Sequence, residues 1–397
     1  MVNDSRVDYT SRRTVLTAAA GTAAVGLAGC TGSDDDADLT VGLSIPLSGD
    51  FSGNGAQYQA AFETWEDKIE EQGGIDGHDV ELRYDDNDSQ EDQASRIANQ
   101  YVDDEVDFVV SAYSSPLARA MAGPLEQAGI PFVTTGSNND EIHAESDTMY
   151  MFEPPVDRRA EGNVLENEGV TEVAALVVDL GWARIMHDRF VEDIAPQHGI
   201  DVVYEDVHAT DIDDFSSFIL QAEESDADAI ITTNYPEDVV NVLRSMTSQG
   251  YEPEFVSSHT ANLPSVGEQL GDTVEGLCVP TCYAETFDTH ENDDFPDRFR
   301  EVRSSDEIEL DVNAANGYGV LQTFEQAVEN AGPDPESINE SLRNDEFDTV
   351  IGTTTFDDRG VQEGFWSLEQ WHSDSSLELV WPDDEATGDF IHPKPWN

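Results

Sequence analysis

Lysine is almost missing from this chain: Lys68 and Lys394 are the only two in 397 residues. Lysine and arginine together number 18 against 85 acidic residues, a formal net charge of −67. Nucleic-acid binding needs clustered cations to meet phosphates, so that class is excluded. Cysteine is scarce too, three residues in all, too few for a disulfide-stapled fold. Cys278 and Cys282 lie in Leu-Cys-Val-Pro-Thr-Cys. An extended strand would hold them too far apart to bridge, whereas a bend at Pro280 would bring them together. Two cysteines alone are also too few ligands for a metal site. No Gly-rich phosphate loop, zinc pattern or nucleophile elbow occurs. Asp357-Asp358-Arg-Gly360 lacks the alternating oxygen ligands of a calcium loop and reads as a turn. Neither cofactor nor metal is implied.

The acids are spread along the chain rather than gathered in one loop. Such a charge excess destabilises a compact state in dilute salt. At about 1 M salt the screening length shrinks to about 3 Å and the penalty largely vanishes. Adaptation to near-saturating salt is the reading that covers the whole chain, and a dedicated cation-binding surface is the narrower alternative.

The uncharged run from Val15 to Cys30 is too short and too rich in Ala and Gly to be a permanent membrane span. Arg12 and Arg13 precede it within Ser11-Arg-Arg-Thr-Val-Leu16, and Leu27-Ala-Gly-Cys30 closes it. This is the layout of an export signal, with the paired arginines of the twin-arginine route and a lipobox before a lipidated cysteine. Residues 1–29 are expected to be removed and Cys30 to carry the lipid. Residues 30–38 form an acidic tether, which places the mature protein on the outer face of the cytoplasmic membrane.

The rest is too long for one core and suggests two domains. Strand runs (Asp38 to Ile45, Val80 to Tyr84, Val106 to Val110, Ile130 to Val133) alternate with amphipathic helices (Gly55 to Gln72, Gln90 to Asp103, Leu117 to Gln127). A second such series begins at Val173. Short connections between strand and helix imply an α/β fold of two similar, doubly wound parallel-sheet lobes, with binding at the strand carboxyl ends between them.

Several segments carry a family likeness: Gly42-Leu-Ser-Ile-Pro-Leu-Ser-Gly49, Gln72-Gly-Gly-Ile-Asp-Gly77, Ser111-Ala-Tyr-Ser-Ser-Pro116, Ala128-Gly-Ile-Pro-Phe-Val-Thr-Thr-Gly-Ser137 and Ala315-Asn-Gly-Tyr-Gly-Val320. In this order, over about residues 40 to 380, the chain resembles the leucine/isoleucine/valine-binding protein family, type I periplasmic substrate-binding proteins of ATP-driven importers, in the lipoprotein form of a halophilic archaeon. The resemblance implies a three-crossover hinge between lobe 1 (residues 38–153 plus 284–352) and lobe 2 (154–283 plus 353–397). It implies a monomer without enzymatic activity that closes on a small-molecule ligand and hands it to the permease subunits of an ABC transporter. Branched-chain amino acids are the family default. Amides, urea-like solutes or carboxylic acids are alternatives, and a sensory receptor built on the same fold is the rival role.

Ser114, Ser115 and Pro116 sit where a strand gives way to a helix, so helix capping is one reading. The other is that the Ser115 hydroxyl and the free backbone N–H groups grip an anionic group. The resemblance implies that Gly136, Ser137 and Asn138 complete this grip, and that Trp182 covers the ligand from the other lobe. Asn234, or Tyr235 beside it, would face the ligand. Where the family's amino-acid binders carry an acid for the ligand's ammonium, this chain has His259. That substitution requires Asp179 or Glu237 to supply the charge, or a ligand that is not a standard α-amino acid. Phe365, Trp366, Trp371 and Trp381 read as packing residues. Ser115 with His259 is the one formal nucleophile–base pairing for an exported hydrolase.

Overall fold

The computed structural model describes residues 38–396 except 138, 144, 145, 157, 306 and 307. The export signal, the tether, Cys30 and Asn138 lie outside the described residues. The first sheet contains β1 (Leu39–Ile45), β2 (Val80–Asp86), β3 (Phe108–Ala112), β4 (Phe132–Thr135) and β5 (Met149–Met151) in the order β2-β1-β3-β4-β5, parallel throughout. Val41 of β1 lies between Leu82 and Phe108, and Gly42 and Ser44 on the alternate face are buried as well, so this strand is covered on both faces. Helices Ser52–Gln72 and Val312–Ala331 cover one face through Tyr58, Phe62, Trp65 and Phe324. Helices Glu91–Asp103 and Ser115–Ala128 cover the other through Ile97, Tyr101, Leu117 and Met121.

The second sheet adds β6 (Glu172–Val178), β7 (Asp201–His208), β8 (Ala229–Thr233), β9 (Phe255–His259) and β10 (Leu277–Thr281). A short hairpin of β11 (Phe347–Thr349) and β12 (Gly352–Thr354) packs with the first sheet's core through Phe347 and Val350. The chain then returns to the second sheet as β13 (Ser367–Trp371) and β14 (Leu377–Trp381). The order there is β14-β13-β10-β9-β8-β6-β7, with β13 and β14 antiparallel to their neighbours. The parallel sheet expected from the sequence is thus extended by an antiparallel edge. The core memberships of the flanking residues put three chain crossings between the sheets: after Phe152, after Thr281 and after Phe356. The architecture is therefore a two-lobed α/β fold.

Of the two readings left open for the cysteine pair, the extended one holds: Val279, Pro280 and Thr281 stay in register with Glu369, Leu368 and Ser367, with no bend at Pro280. Cys278 and Cys282 are accordingly free and buried. The helix expected from Leu117 starts earlier, at Ser115, because its polar first turn carries no periodic signal. The helix after β6 begins at Gly181, widens into π-helical turns over Arg189–Ile194 and ends at Gln197.

Both lysines are internal. Lys68 Nζ pairs with Glu291 at 2.7 Å and Glu325 at 2.9 Å, and Tyr318 Oη and Gln322 Nε2 also donate to Glu291. Lys394 Nζ donates to the carbonyls of Thr273 and Glu275 at 2.8 and 2.5 Å. Removing one partner of a buried ion pair strands the other, at a cost of about 3–5 kcal/mol. Lys68→Met is therefore expected to lower the unfolding free energy, read by chemical denaturation at constant salt, by an amount in that range. Lys68→Met combined with Glu325→Gln should recover part of the loss.

Candidate functional site

The lobe 1 face is built where β3 and β4 end. Ser114 is extended and precedes the helix Ser115–Ala128, yet its side chain makes no capping hydrogen bond and its Oγ is buried without a partner. Ser115 is also not spent on the helix: Ser137 Oγ donates to Ser115 Oγ at 3.1 Å. Neither hydroxyl performs the capping role that the sequence left open. Gly136 has φ +62, and a Cβ there would come within 2.6 Å of the Tyr113 ring and 2.8 Å of the Tyr58 hydroxyl, so no other residue fits. Its backbone lies near enough to the Glu153 carboxylate to offset part of the rise that burial causes in that group's pKa.

The lobe 2 face is aromatic. Trp182, in the first turn of the helix Gly181–Asp188, meets Tyr235 edge-on at 5.9 Å between ring centroids and His259 at 5.8 Å. His259 in turn meets Trp366 at 5.3 Å. Trp366 is buried as expected, but it forms the base of this wall rather than remote packing, with its indole N–H donating to the Pro154 carbonyl at 2.8 Å. Tyr235 is 40% exposed and stands at the start of helix Pro236–Gln249. Asn234, by contrast, is fully buried: its Oδ1 lies 3.0 Å from His208 Nε2 and its carbonyl accepts from the Thr260 hydroxyl at 2.7 Å. Of these two residues, Tyr235 presents the exposed surface.

His259 is neutral: burial, reinforced by the Arg158 guanidinium, pushes its pKa down to about 3. Its Nδ1 is buried with no hydrogen-bond partner. Arg158 lies at the root of the same lobe, fully buried, donating to Glu161 at 2.8 Å, to the Thr232 carbonyl at 2.7 Å and to Thr233 Oγ1 at 2.6 Å.

The two acids offered as alternatives for the charge missing at His259 both face solvent. Asp179 is exposed and paired with Arg184 at 3.2 Å, and Glu237 is exposed at the start of its helix. Two carboxylates that sequence reasoning missed lie nearby: Glu153, which is buried, and Asp311, which is partly buried. Glu153 follows β5 at the first crossing, and burial, with Asp311 nearby, raises its pKa to about 7. Asp311 caps helix Val312–Ala331, accepting from the N–H groups of Asn313 and Ala314, and burial raises its pKa to about 6. The N-cap role of Asp311 was readable from Asp-Val-Asn-Ala-Ala; its burial was not. Across the lobes, Arg189 donates to Asp140 at 2.6 Å, and Arg359 reaches the same carboxylate at 3.2 Å.

Ser115 and His259 form no nucleophile–base hydrogen bond, since Ser115 is held by Ser137 and His259 Nδ1 has no partner. Among the described residues no group of three or more His, Cys, Asp or Glu could hold a metal ion, and no helix is long and apolar enough to cross a membrane.

A fold of two sheet lobes with three crossings, and polar and aromatic faces at the strand ends between them, defines a bilobal solute-binding architecture. The chain belongs to the periplasmic binding protein family, whose model matches residues 38–372. It is 24% identical over 373 residues to the Leu/Ile/Val-binding protein of Escherichia coli (strain K12), covering 88% of this chain and 96% of that protein. It is 22% identical over 331 residues to the Leu/Ile/Val-binding protein homolog 1 of Brucella suis, covering 82% and 87%. Among solved structures, it is similar to a putative branched-chain amino acid ABC transporter protein from Silicibacter pomeroyi, with a TM-score of 0.80, 18% identity and coverage of 89% and 99%. A solute-binding protein from R. palustris in complex with 4-hydroxybenzoate gives a TM-score of 0.72 at 20% identity, covering 86% of this chain and 95% of that one.

Proposed function

We propose that this protein captures a small amino-acid-like solute between its lobes, outside the cell, and delivers it to an ATP-driven permease. A branched-chain amino acid is the first candidate. The carrying observation is the pairing of an unspent polar face with an aromatic wall. The Ser114 hydroxyl is buried without a partner and Ser137 donates to Ser115, while Trp182, Tyr235 and His259 stand on the other lobe. Donors of this kind suit a carboxylate, and the aromatic rings suit an apolar body. Asn138 belongs to the same proposed grip. The Leu/Ile/Val-binding relatives favour this ligand class. The 4-hydroxybenzoate complex of a similar fold makes an aromatic carboxylic acid the competing candidate.

The twin arginines and the lipobox support export and lipid anchoring through Cys30, so the protein would work as a tethered, halophilic monomer. The test is a thermal-shift panel in molar potassium chloride with leucine, isoleucine, valine, urea and 4-hydroxybenzoate. A true ligand at about 100 times its Kd should add about 2.7 kcal/mol. Trp182→Ala and Ser115→Ala should each weaken that ligand at least about tenfold, or about 1.4 kcal/mol. A ligand bound equally well by both variants would show that the two faces are not the site.

A further inference from the structure

We infer that Asp140 is the hub of an ion-pair latch, Arg189–Asp140–Arg359, that holds lobe 2 against lobe 1 and sets how readily the cleft closes. This rests on the solute-binding reading above and concerns the energy of closure, not the contacts of the ligand.

Arg189 belongs to lobe 2 and Asp140 to lobe 1, so the 2.6 Å bond from Arg189 Nη2 to Asp140 Oδ1 crosses between the lobes. Arg359, in the third crossing, donates to the other oxygen of the same carboxylate, Oδ2, at 3.2 Å. One side chain therefore gathers the opposite lobe and a hinge segment through its two oxygens. The chain has 18 cationic residues against 85 acids, so two arginines on one carboxylate is a concentrated use of a scarce charge. The contact is also shielded, with the side chains of Asp140 and Arg189 only 15% and 21% exposed. Salt screens a partly buried pair less than an exposed one, and short charge-assisted bonds are the strong ones. The pair should therefore hold in molar salt, where most of the surface charge is masked.

All three members are held in place. Asp140 opens the short turn Asp140–Ile142 after β4. His143 clamps that turn from within: it is fully buried, its Nε2 lies 2.8 Å from Thr134 Oγ1 of β4, and its Nδ1 lies 3.1 Å from the Asn139 carbonyl. Burial pushes the His143 pKa down to about 4, so the clamp stays neutral at neutral pH. On the other lobe, Arg189 follows Trp182 by about two helical turns, which puts both on one side of the helix. At Arg189 the helix widens into its π-helical turns, an irregularity often found at functional positions. A single element thus carries a ring of the aromatic wall at its start and the latch further on. Arg359 Nε donates to Asp357 at 2.9 Å. Its neighbours are stitched to β5, because the Met151 N–H donates to the Gly360 carbonyl at 2.7 Å and the Gln362 N–H to the Met151 carbonyl at 3.1 Å.

The three charged groups belong to neither the serine face nor the aromatic wall. They act on affinity through the fraction of molecules able to close, since the apparent dissociation constant is the intrinsic one divided by that fraction. Loss of the latch should therefore weaken every ligand by one common factor, whatever the ligand's chemistry.

The experiment combines calorimetry and small-angle scattering on the full chain in molar potassium chloride at neutral pH, with leucine, isoleucine and valine as probes. Asp140→Asn, Arg189→Gln and the two combined are compared with the natural protein, and ligand-free melting midpoints check folding. Each single variant is expected to lose at least about fivefold in affinity, by a factor that agrees within about twofold for every probe that binds. The double variant should lose no more than the larger single loss, because the two residues form one interaction. Arg359→Gln should lose less than Arg189→Gln, since Arg359 is half exposed and has Asp357 as a second partner. Without ligand, both single variants should show a larger radius of gyration than the natural protein. Affinities within about twofold of the natural protein in both single variants would overturn the latch and leave the solute-binding reading intact, even if the melting midpoints fall. Losses confined to one probe would also overturn it, because the pair would then act through ligand contacts. A larger loss from Arg359→Gln than from Arg189→Gln would do so too, by placing the restraint within the hinge. If no probe binds the natural protein, the amino-acid reading falls by itself and the ligand-free scattering still decides: a radius of gyration unchanged in both single variants overturns the latch.

Discussion

Dilution from about 3 M to about 0.1 M potassium chloride at neutral pH is expected to unfold the protein, because the screening length rises from under about 3 Å to about 10 Å. The formal charge of −67 then repels itself across the whole surface. The structure sharpens this expectation, since neither lysine is available to offset the surface charge: Lys68 is committed to Glu291 and Glu325, and Lys394 to backbone carbonyls. Several arginines are likewise engaged with particular acids, Arg298 with Glu71 and Asp294, Arg300 with Glu285, Arg83 with Asp85. Far-ultraviolet circular dichroism across a salt titration reads the effect. Loss of helical signal at low salt, restored by adding potassium chloride, is the expected outcome. A flat signal over the full range would show that the acid excess is not a salt adaptation.

Arg158→Met is expected to destabilise the protein by about 3–5 kcal/mol, the usual cost of stranding one member of a buried ion pair. Glu161 is fully buried, and after the substitution the Ser257 hydroxyl, at 3.0 Å, would be its one remaining donor among the described residues. The Thr232 carbonyl and Thr233 hydroxyl at the end of β8 would lose their donor as well. These atoms precede Asn234 and Tyr235, so the damage should reach the aromatic wall and weaken ligand binding. Removing both charges, in Arg158→Met with Glu161→Leu, should recover much of the stability, because apolar replacement of a buried pair is often neutral. Chemical denaturation at constant salt measures both. Loss under about 1 kcal/mol for the single variant would mean that the pair is solvated or dispensable. The double variant would also raise the His259 pKa only slightly, since burial is the first cause of its depression and Arg158 the second.

Much of the fold was legible because its signal is periodic. Alternating apolar strands and amphipathic helices announced two lobes, and the chain order placed serines and a glycine at strand ends that the structure brings together. The antiparallel edge of β13 and β14 was not legible: short strands near the carboxyl terminus look like loop, and their pairing with β10 is a long-range choice. Pro280 was ambiguous for a related reason. A proline ordinarily weakens a strand, and only the ladder formed with β13 decides that the chain stays extended.

The candidate site was legible on its hydroxyl side and not on its charged side. Ser114, Ser115, Gly136 and Ser137 stand in local patterns that announce a strand end and a turn. Glu153, Arg158 and Asp311 are single charged residues among 103 acidic and basic ones (85 plus 18), and nothing local separates a buried one from a solvated one. Their burial follows from where three crossings converge, which is a property of the assembled fold. His259 showed the reverse: the sequence raised its charge as a question, and its apolar surroundings answer it by keeping the ring neutral.

The central claim is that two lobes close on a small solute. Small-angle X-ray scattering in molar potassium chloride, with and without the best-binding probe of the panel, tests it most directly. A smaller radius of gyration on saturation is the predicted result, lost when Trp182 is replaced by alanine. Superimposable profiles with a probe bound at saturation would contradict the account.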